Sequence, residues 1–91
     1  MFEFTKEKNY KEINPEIDLI KAGQRLKELR KEKNISQLKL ALDLSMNQNT
    51  ISRYETGERE ADYKTLIKIA DYFNVSIDYL LERTDNPKIN K

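Results

Sequence analysis

The apolar side chains of this chain recur with the period of an α-helix. The clearest example is an i, i+3, i+4, i+7 set that would line one helical face: Leu66, Ile69, Ala70 and Phe73. Three apolar residues of an earlier segment also have spacings compatible with one helical face: Ile20, Leu26 and Leu29. The chain has only two glycines and two prolines, so the turns typical of β-hairpins are scarce. The pattern therefore predicts an all-α fold.

The first helix has two candidate starting points. Asn14 is an N-cap candidate followed by Pro15, which suits the first helical position because proline has no amide to leave unpaired. Asp18 is the alternative N-cap. Lysine and arginine crowd the end of the segment, where they suit the negative helix terminus, so we expect the helix to end near Lys33. Asn34 can then adopt the left-handed conformation that often follows a helix.

Residues with capping side chains also precede each of the four remaining helices: Ser36, Asn47, Asp62 and Ser76. The second helix would run from Gln37 to about Leu44. The third would begin at Gln48 and end at Gly57, with the glycine in the left-handed conformation. The fifth helix would contain Tyr79, Leu80 and Leu81.

Composition narrows the classes of function. Ninety-one residues make one domain, and 37% hydrophobic residues are enough for a small core. The chain has no cysteine and no histidine, which excludes disulfides, thiolate or imidazole metal sites, and Cys- or His-dependent catalysis. We therefore expect no catalytic site, metal or cofactor. Because no apolar stretch is long enough for a signal peptide or membrane span, we expect a cytoplasmic protein that does not bind membranes.

The most informative segment runs from Ser36 to Glu55. Only about three residues join its two short helices, so the helices must cross at a steep angle. Ala41 is small enough to let the third helix approach the second. Four apolar residues would fill the wedge between these two helices: Leu40, Leu44, Met46 and Ile51. The exposed side of the third helix would be polar and nearly free of acidic residues. Its amide and guanidinium groups suit the edges of adenine and guanine, and a solvated helix surface is the alternative interpretation.

In combination with several spacings elsewhere, this segment resembles a known family. The matching residues are Arg25-Leu26, Leu29-Arg30, Ser36-Gln37, Leu40-Ala41, residues 51–59 (ISRYETGER), Leu66, Ile69-Ala70, Val75-Ser76 and residues 78–81 (DYLL). They resemble the Xre family, the helix-turn-helix family of Cro and lambda-type repressors, over residues 22–83. The resemblance implies a compact, lambda repressor-like bundle of five helices. It also implies a homodimer that binds double-stranded operator DNA, with the third helix in the major groove.

The same resemblance assigns roles to individual residues. The residues expected to contact bases are Gln48, Asn49, Thr50 and Arg53. The residues expected to contact phosphates are Gln37, Arg59 and Lys64. Arg30 and Glu55 would form a structural ion pair. Apart from the resemblance, Tyr54 lies three residues after Ile51 and is expected in the core or at its edge. Tyr79 is expected in the dimer interface, because the fifth helix has more apolar groups than a small monomer must bury. Ser45 and Ala61 depart from the family pattern, which often has glycine and proline at these positions.

Charge is distributed unevenly along the chain. The formal net charge is only +1, but residues 20–59 hold nine Lys and Arg against five Asp and Glu, a local balance of +4. A basic region around the two-helix unit is what phosphate attraction requires. We expect residues 1–19 to form a partly flexible extension, residues 20–83 the DNA-binding domain and residues 84–91 a flexible tail.

These observations favour a sequence-specific DNA-binding transcriptional regulator, most simply a repressor. The alternative is an antitoxin or another protein-interaction module of the same fold, for which DNA binding is secondary. Such a module would bind a small protein partner through a segment outside the helix-turn-helix, and residues 1–19 are the segment long enough for that role.

Overall fold

Five helices form the part of the chain that the computed structural model describes, residues 18–89. They are α1 (Leu19–Glu32), α2 (Gln37–Asp43), α3 (Gln48–Thr56), α4 (Tyr63–Phe73) and α5 (Ile77–Leu80). No strand occurs between residues 18 and 89. The prediction of an all-α five-helix bundle is therefore confirmed.

A side chain caps the N-terminus of every helix. Each cap accepts a hydrogen bond of 2.8 to 3.1 Å from a backbone N–H in the first turn of its helix: Asp18, Ser36, Asn47, Asp62 and Ser76. The four caps predicted for the later helices are confirmed. Of the two candidates for α1, Asp18 is the cap, and Asn14 lies outside the described residues.

Left-handed residues follow several helices. Asn34 (φ 57°) follows α1 and Gly57 (φ 82°) follows α3, both as predicted. Asn74 (φ 56°) ends α4 in the same way and had not been anticipated. Asparagine and glycine tolerate this conformation better than other residues, which is why the helices end at these points.

The fifth helix is one residue shorter than predicted. Leu81 is its C-cap rather than a helical residue, because Glu82 turns into the left-handed region (φ 64°). The Arg83 N–H then bonds to the Asp78 carbonyl at 2.8 Å, which closes the turn. Beyond it, the chain runs back toward the start of α5, where the Ser76 N–H donates to the Pro87 carbonyl at 2.9 Å.

The core receives apolar side chains from all five helices. Its buried members are Leu26, Leu29, Leu40, Ala41, Leu44, Ile51, Tyr54, Ile69, Ala70, Phe73, Val75 and Leu80. Leu40 and Ile51 are fully buried where α2 meets α3, as the predicted wedge requires, and Met46 is half-buried at its edge. Ile20 was wrongly grouped with Leu26 and is 60% exposed. The reason is geometric, since six residues at 3.6 per turn leave two side chains about 120° apart.

Two aspartates of the fold accept hydrogen bonds that favour their ionised form. A hydrogen bond from the Tyr72 hydroxyl, followed by one from Lys39, lowers the pKa of Asp43 below its ordinary value of 3.8. Hydrogen bonds from the Thr65 hydroxyl and backbone N–H lower the pKa of Asp62 from the same value. In return, the bond to Asp43 raises the pKa of Tyr72 above 10.0.

These shifts predict a loss of stability in acid. Because the folded-state pKa values of Asp43 and Asp62 lie below the unfolded value, the two carboxylates contribute stability above about pH 4. That contribution is lost as the pH falls through the folded-state values. In urea titrations between pH 7 and pH 2.5, the doubly substituted Asp43→Asn, Asp62→Asn variant should lose less free energy of unfolding than the parent chain. An equally steep acid limb in both proteins would contradict the assignment.

Candidate nucleic-acid interface

The unit that presents the candidate interface is α2, the turn after it and α3. Leu44 is the C-cap of α2, and Ser45 adopts the left-handed conformation with φ 55°. The Met46 N–H then bonds back to the Ala41 carbonyl at 2.8 Å, and Asn47 begins α3. Serine has a Cβ that glycine lacks, so this turn stores about 1 to 2 kcal/mol of backbone strain.

One side of α3 is anchored in the protein, and the other faces solvent. Ile51, Tyr54 and Glu55 are buried. On the opposite side Gln48, Asn49 and Arg53 are exposed, and Thr50 is half-buried. Within residues 18–89 the side chains of the four predicted base-contacting residues make no hydrogen bond, so their donors and acceptors remain free for a ligand. The helix is therefore held by one face while it presents amide and guanidinium groups on the other.

A buried ion pair holds the end of α3 against α1. Arg30 Nε lies 2.6 Å from Glu55 Oε2, and Arg30 Nη2 lies 3.1 Å from Glu55 Oε1. The two residues are 9% and 6% exposed. Arg30 Nη1 also donates to the Ile35 carbonyl at 2.9 Å, which ties down the loop before α2. This bidentate arrangement is the strong form of the arginine–carboxylate contact.

Gln37 belongs to the same network. Its Nε2 donates a hydrogen bond of 3.0 Å to Glu55 Oε1, so one amide hydrogen is committed inside the protein. The second amide hydrogen is not used by this bond. The sequence did not reveal this contact, because 18 residues separate the partners and their only shared signal is membership in the same motif.

Two of the predicted phosphate-contacting residues lie beyond α3. Arg59 is exposed in the loop after α3, where its backbone N–H bonds to the Arg53 carbonyl at 3.3 Å. Lys64 is exposed in the first turn of α4. The positive charges of both residues help to lower the pKa of Asp62, after the larger effect of the Thr65 hydrogen bonds. Both positive charges therefore act on the Asp62 carboxylate, the N-cap of α4.

Tyr79 is in contact with Arg25 of the same chain. The guanidinium of the buried Arg25 lies 3.7 Å from the centre of the Tyr79 ring, and Arg25 Nη1 donates to the Tyr79 carbonyl at 3.0 Å. Arg25 Nη2 also lies 2.7 Å from Glu82 Oε2. Arg25 thus joins α1 to α5 and to the segment after it. The sequence did not predict this role, because a motif match and a positive charge do not reveal the partners of Arg25.

Two features are absent from residues 18–89: a helix able to span a membrane and a cluster able to bind a metal ion. No helix in this range is both long and apolar enough to cross a membrane. No cluster of three or more acidic side chains in the same range could hold a metal ion.

Comparison with known proteins agrees with this geometry. A helix-turn-helix family model matches residues 26–80. The uncharacterized HTH-type transcriptional regulator YqaE of Bacillus subtilis (strain 168) is 42% identical over 67 residues, which are 74% of this chain and 58% of the relative. The cryptic phage CTXphi transcriptional repressor RstR of Vibrio cholerae serotype O1 is 34% identical over 64 residues, which are 70% of this chain and 57% of the relative.

A solved structure shares the fold. The crystal structure of the restriction-modification controller protein C.AhdI from Aeromonas hydrophila superposes with a TM-score of 0.65 at 33% identity, covering 69% of this chain and 96% of that one. The chain spans a little over half the length of each of the two curated relatives named above. Taken together, the matched motif, the relatives and the fold show that the chain belongs to the Xre-type helix-turn-helix family of DNA-binding transcriptional regulators.

Proposed function

We propose that this protein is a transcriptional repressor that binds a palindromic operator as a homodimer, with α3 of each protomer in the major groove. The observation that carries the proposal is the division of α3 into a buried side and a free polar side. A recognition element must be rigid to hold its side chains in register with base edges. Anchoring by Ile51, Tyr54 and the Arg30–Glu55 pair supplies that rigidity.

The free side of α3 has the chemistry that base recognition requires. The amides of Gln48 and Asn49 can each pair bidentately with adenine, and the Arg53 guanidinium can pair with guanine. The methyl group of Thr50 can contact a thymine methyl. Each good bidentate contact is worth about 1 to 3 kcal/mol of discrimination between bases.

Phosphate contacts would flank this face. Gln37 has an amide hydrogen to spare at the exposed start of α2, and Arg59 and Lys64 are exposed cations after α3. Backbone amides at helix N-termini can add to such contacts. Contacts of this kind fix the orientation of the protein on the duplex without selecting a sequence.

For the dimer contact we propose α4 as well as the predicted Tyr79, because Arg25 covers one face of the Tyr79 ring and leaves less of it for a partner. Tyr63 and Ile67 lie one turn apart on α4 and are 86% and 50% exposed. We expect Ile67→Glu to shift the chain toward monomer in sedimentation velocity. Leu42→Glu is the matched control, because Leu42 is an apolar residue on α2 that is 67% exposed. A dimer that survives Ile67→Glu and dissociates with Leu42→Glu would contradict this placement.

Repression would follow from occupancy of the operator. A dimer can place two copies of α3 in successive major grooves about 34 to 36 Å apart on one side of the duplex. Bound there, it would exclude RNA polymerase from an overlapping promoter. The relative RstR is a transcriptional repressor by name. Transcription that rises with protein concentration in a reconstituted assay would show an activator instead.

Substitution of Arg53 tests the proposal. We expect Arg53→Ala to weaken operator binding about fivefold or more and to relax the preference at one base pair of each half-site, because a bidentate contact is lost. Gln37→Ala should instead weaken binding to all sequences alike. Lys27→Ala, which removes an exposed charge from α1, is the control. Fluorescence anisotropy with an operator and its single-base variants makes the measurement, and unchanged affinity and specificity in Arg53→Ala would count against the proposal.

A further inference from the structure

The turn between α2 and α3 is held from outside the helix-turn-helix by two residues of α4. Lys68 Nζ donates a hydrogen bond of 2.7 Å to the carbonyl of Leu44, the C-cap of α2. One helical turn later, the Tyr72 hydroxyl donates a hydrogen bond of 2.6 Å to Asp43 Oδ2. Both contacts fall on the last turn of α2, immediately before the strained Ser45.

We propose that Lys68 and Tyr72 are positioning residues for DNA recognition, because together they clamp the end of α2 and so fix the turn that orients α3. The inference rests on the proposed function, in which α3 carries the base contacts. Lys68 and Tyr72 act through the turn and are not expected to touch DNA.

The chemistry of the Lys68 contact suits such a clamp. The last carbonyls of a helix have no partner within the helix, and they carry the negative end of its dipole. A lysine ammonium can donate a hydrogen bond to such a carbonyl, and its positive charge interacts favourably with the negative end of the dipole. Since α2 has only seven residues, a contact at its end holds a large part of the helix.

Tyr72 is itself held in place, so the contact with Asp43 is rigid. Its ring packs edge-on against Phe73, with centroids 5.0 Å apart, and Phe73 is part of the core. Lys33 Nζ lies 5.7 Å from the centre of the same ring. Asp43 in turn accepts a hydrogen bond from Lys39 at 3.0 Å. The end of α2 is thereby connected to α4, to the end of α1 and to its own first turn.

Without the clamp, the turn should sample other conformations. Ser45 is in a backbone region that costs free energy for a residue with a Cβ, so the turn persists only while its surroundings hold it. A small rotation of α3 would displace every base contact together. Phosphate contacts do not depend on the base sequence, so the rotation would weaken them less.

The experiment compares Lys68→Met and Tyr72→Phe with the parent chain, using the sequence that the parent selects from a random duplex pool and a scrambled duplex of the same length. We expect both variants to lower the ratio of operator to scrambled affinity by about fivefold to 30-fold, a loss on the scale of one bidentate base contact. Affinity for the scrambled duplex should change no more than in Lys27→Met, which removes one exposed charge from α1. Lys68→Arg can still reach the Leu44 carbonyl and should restore most of the ratio.

A second measurement examines the turn without DNA. Hydrogen exchange at the Met46 amide, which bonds across the turn to Ala41, should be several times faster in Lys68→Met, while exchange at core amides of α1 is unchanged. An unaltered ratio or unaltered exchange at Met46 would overturn the clamp. Equal losses on both duplexes would also overturn it, since Lys68 would then be a phosphate contact. A parent chain that selects no sequence at all would contradict the proposed function instead.

Discussion

Arg30→Ala is expected to lower the free energy of unfolding by about 3 to 5 kcal/mol, because it leaves the Glu55 carboxylate buried without its counter-ion. Glu55 is 6% exposed and would retain only the Gln37 amide as a side-chain partner within residues 18–89. The Ile35 carbonyl would lose its guanidinium donor as well. Urea titration monitored by circular dichroism at pH 7 measures the loss.

The chain offers a matched control for this prediction. Arg83 pairs with Asp78 at 3.3 Å, but both side chains are more than half exposed. Exposed pairs of this kind contribute about 0 to 1 kcal/mol, so Arg83→Ala should have a small effect. Similar losses in the two variants would show that the Arg30–Glu55 pair does not anchor α3 as the structure indicates.

Gly23→Ala is the second substitution expected to have a large effect. An ideal Cβ at Gly23 would lie 2.4 Å from the Tyr54 carbonyl oxygen and 2.5 Å from that of Glu55. Both atoms belong to the backbone of α3, so a side-chain rotation cannot relieve the clash. Overpacking of this kind costs about 3 kcal/mol, whereas alanine gains only about 1 kcal/mol over glycine in a helix. We therefore expect a net loss of about 2 kcal/mol or more.

The sign of the stability change distinguishes a backbone clash at Gly23 from an effect of helix propensity. Propensity alone predicts that Gly23→Ala stabilises α1. The neighbouring Gln24→Ala is the control, because Gln24 is exposed and its replacement should change stability by less than about 0.5 kcal/mol. A midpoint of urea unfolding that rises in Gly23→Ala would contradict the close approach of α1 and α3.

Local signals were sufficient to predict the helices. Capping residues such as Ser36 and Asp62 act on backbone groups two or three positions away, so their meaning can be inferred from neighbouring residues. The left-handed Asn34 and Gly57 are local in the same sense. Ile20 lies off the buried face because six residues of helix place its side chain about 120° from that of Leu26.

The contacts that hold the site together were harder to predict. Arg25 and Lys68 look like ordinary surface charges in the sequence, and their partners lie 54 and 24 residues away. Burial is a property of the assembled fold, so no pattern within one helix shows that Arg25 is enclosed. The Arg30–Glu55 pair could be anticipated only through the family resemblance. The free face of α3 was easier to predict, because the helical period alone separates its polar side from Ile51.

In the proposed function, the polar face of α3 recognises a specific DNA sequence in a symmetric complex. Selection of bound duplexes from a random pool by the full chain tests it most directly. We expect an enriched palindrome with two half-sites centred about one helical turn apart, and Arg53→Ala should lose the preference at one position of each half-site. A pool that shows no enriched sequence after selection, together with a stoichiometric small protein partner copurified from the host, would contradict it.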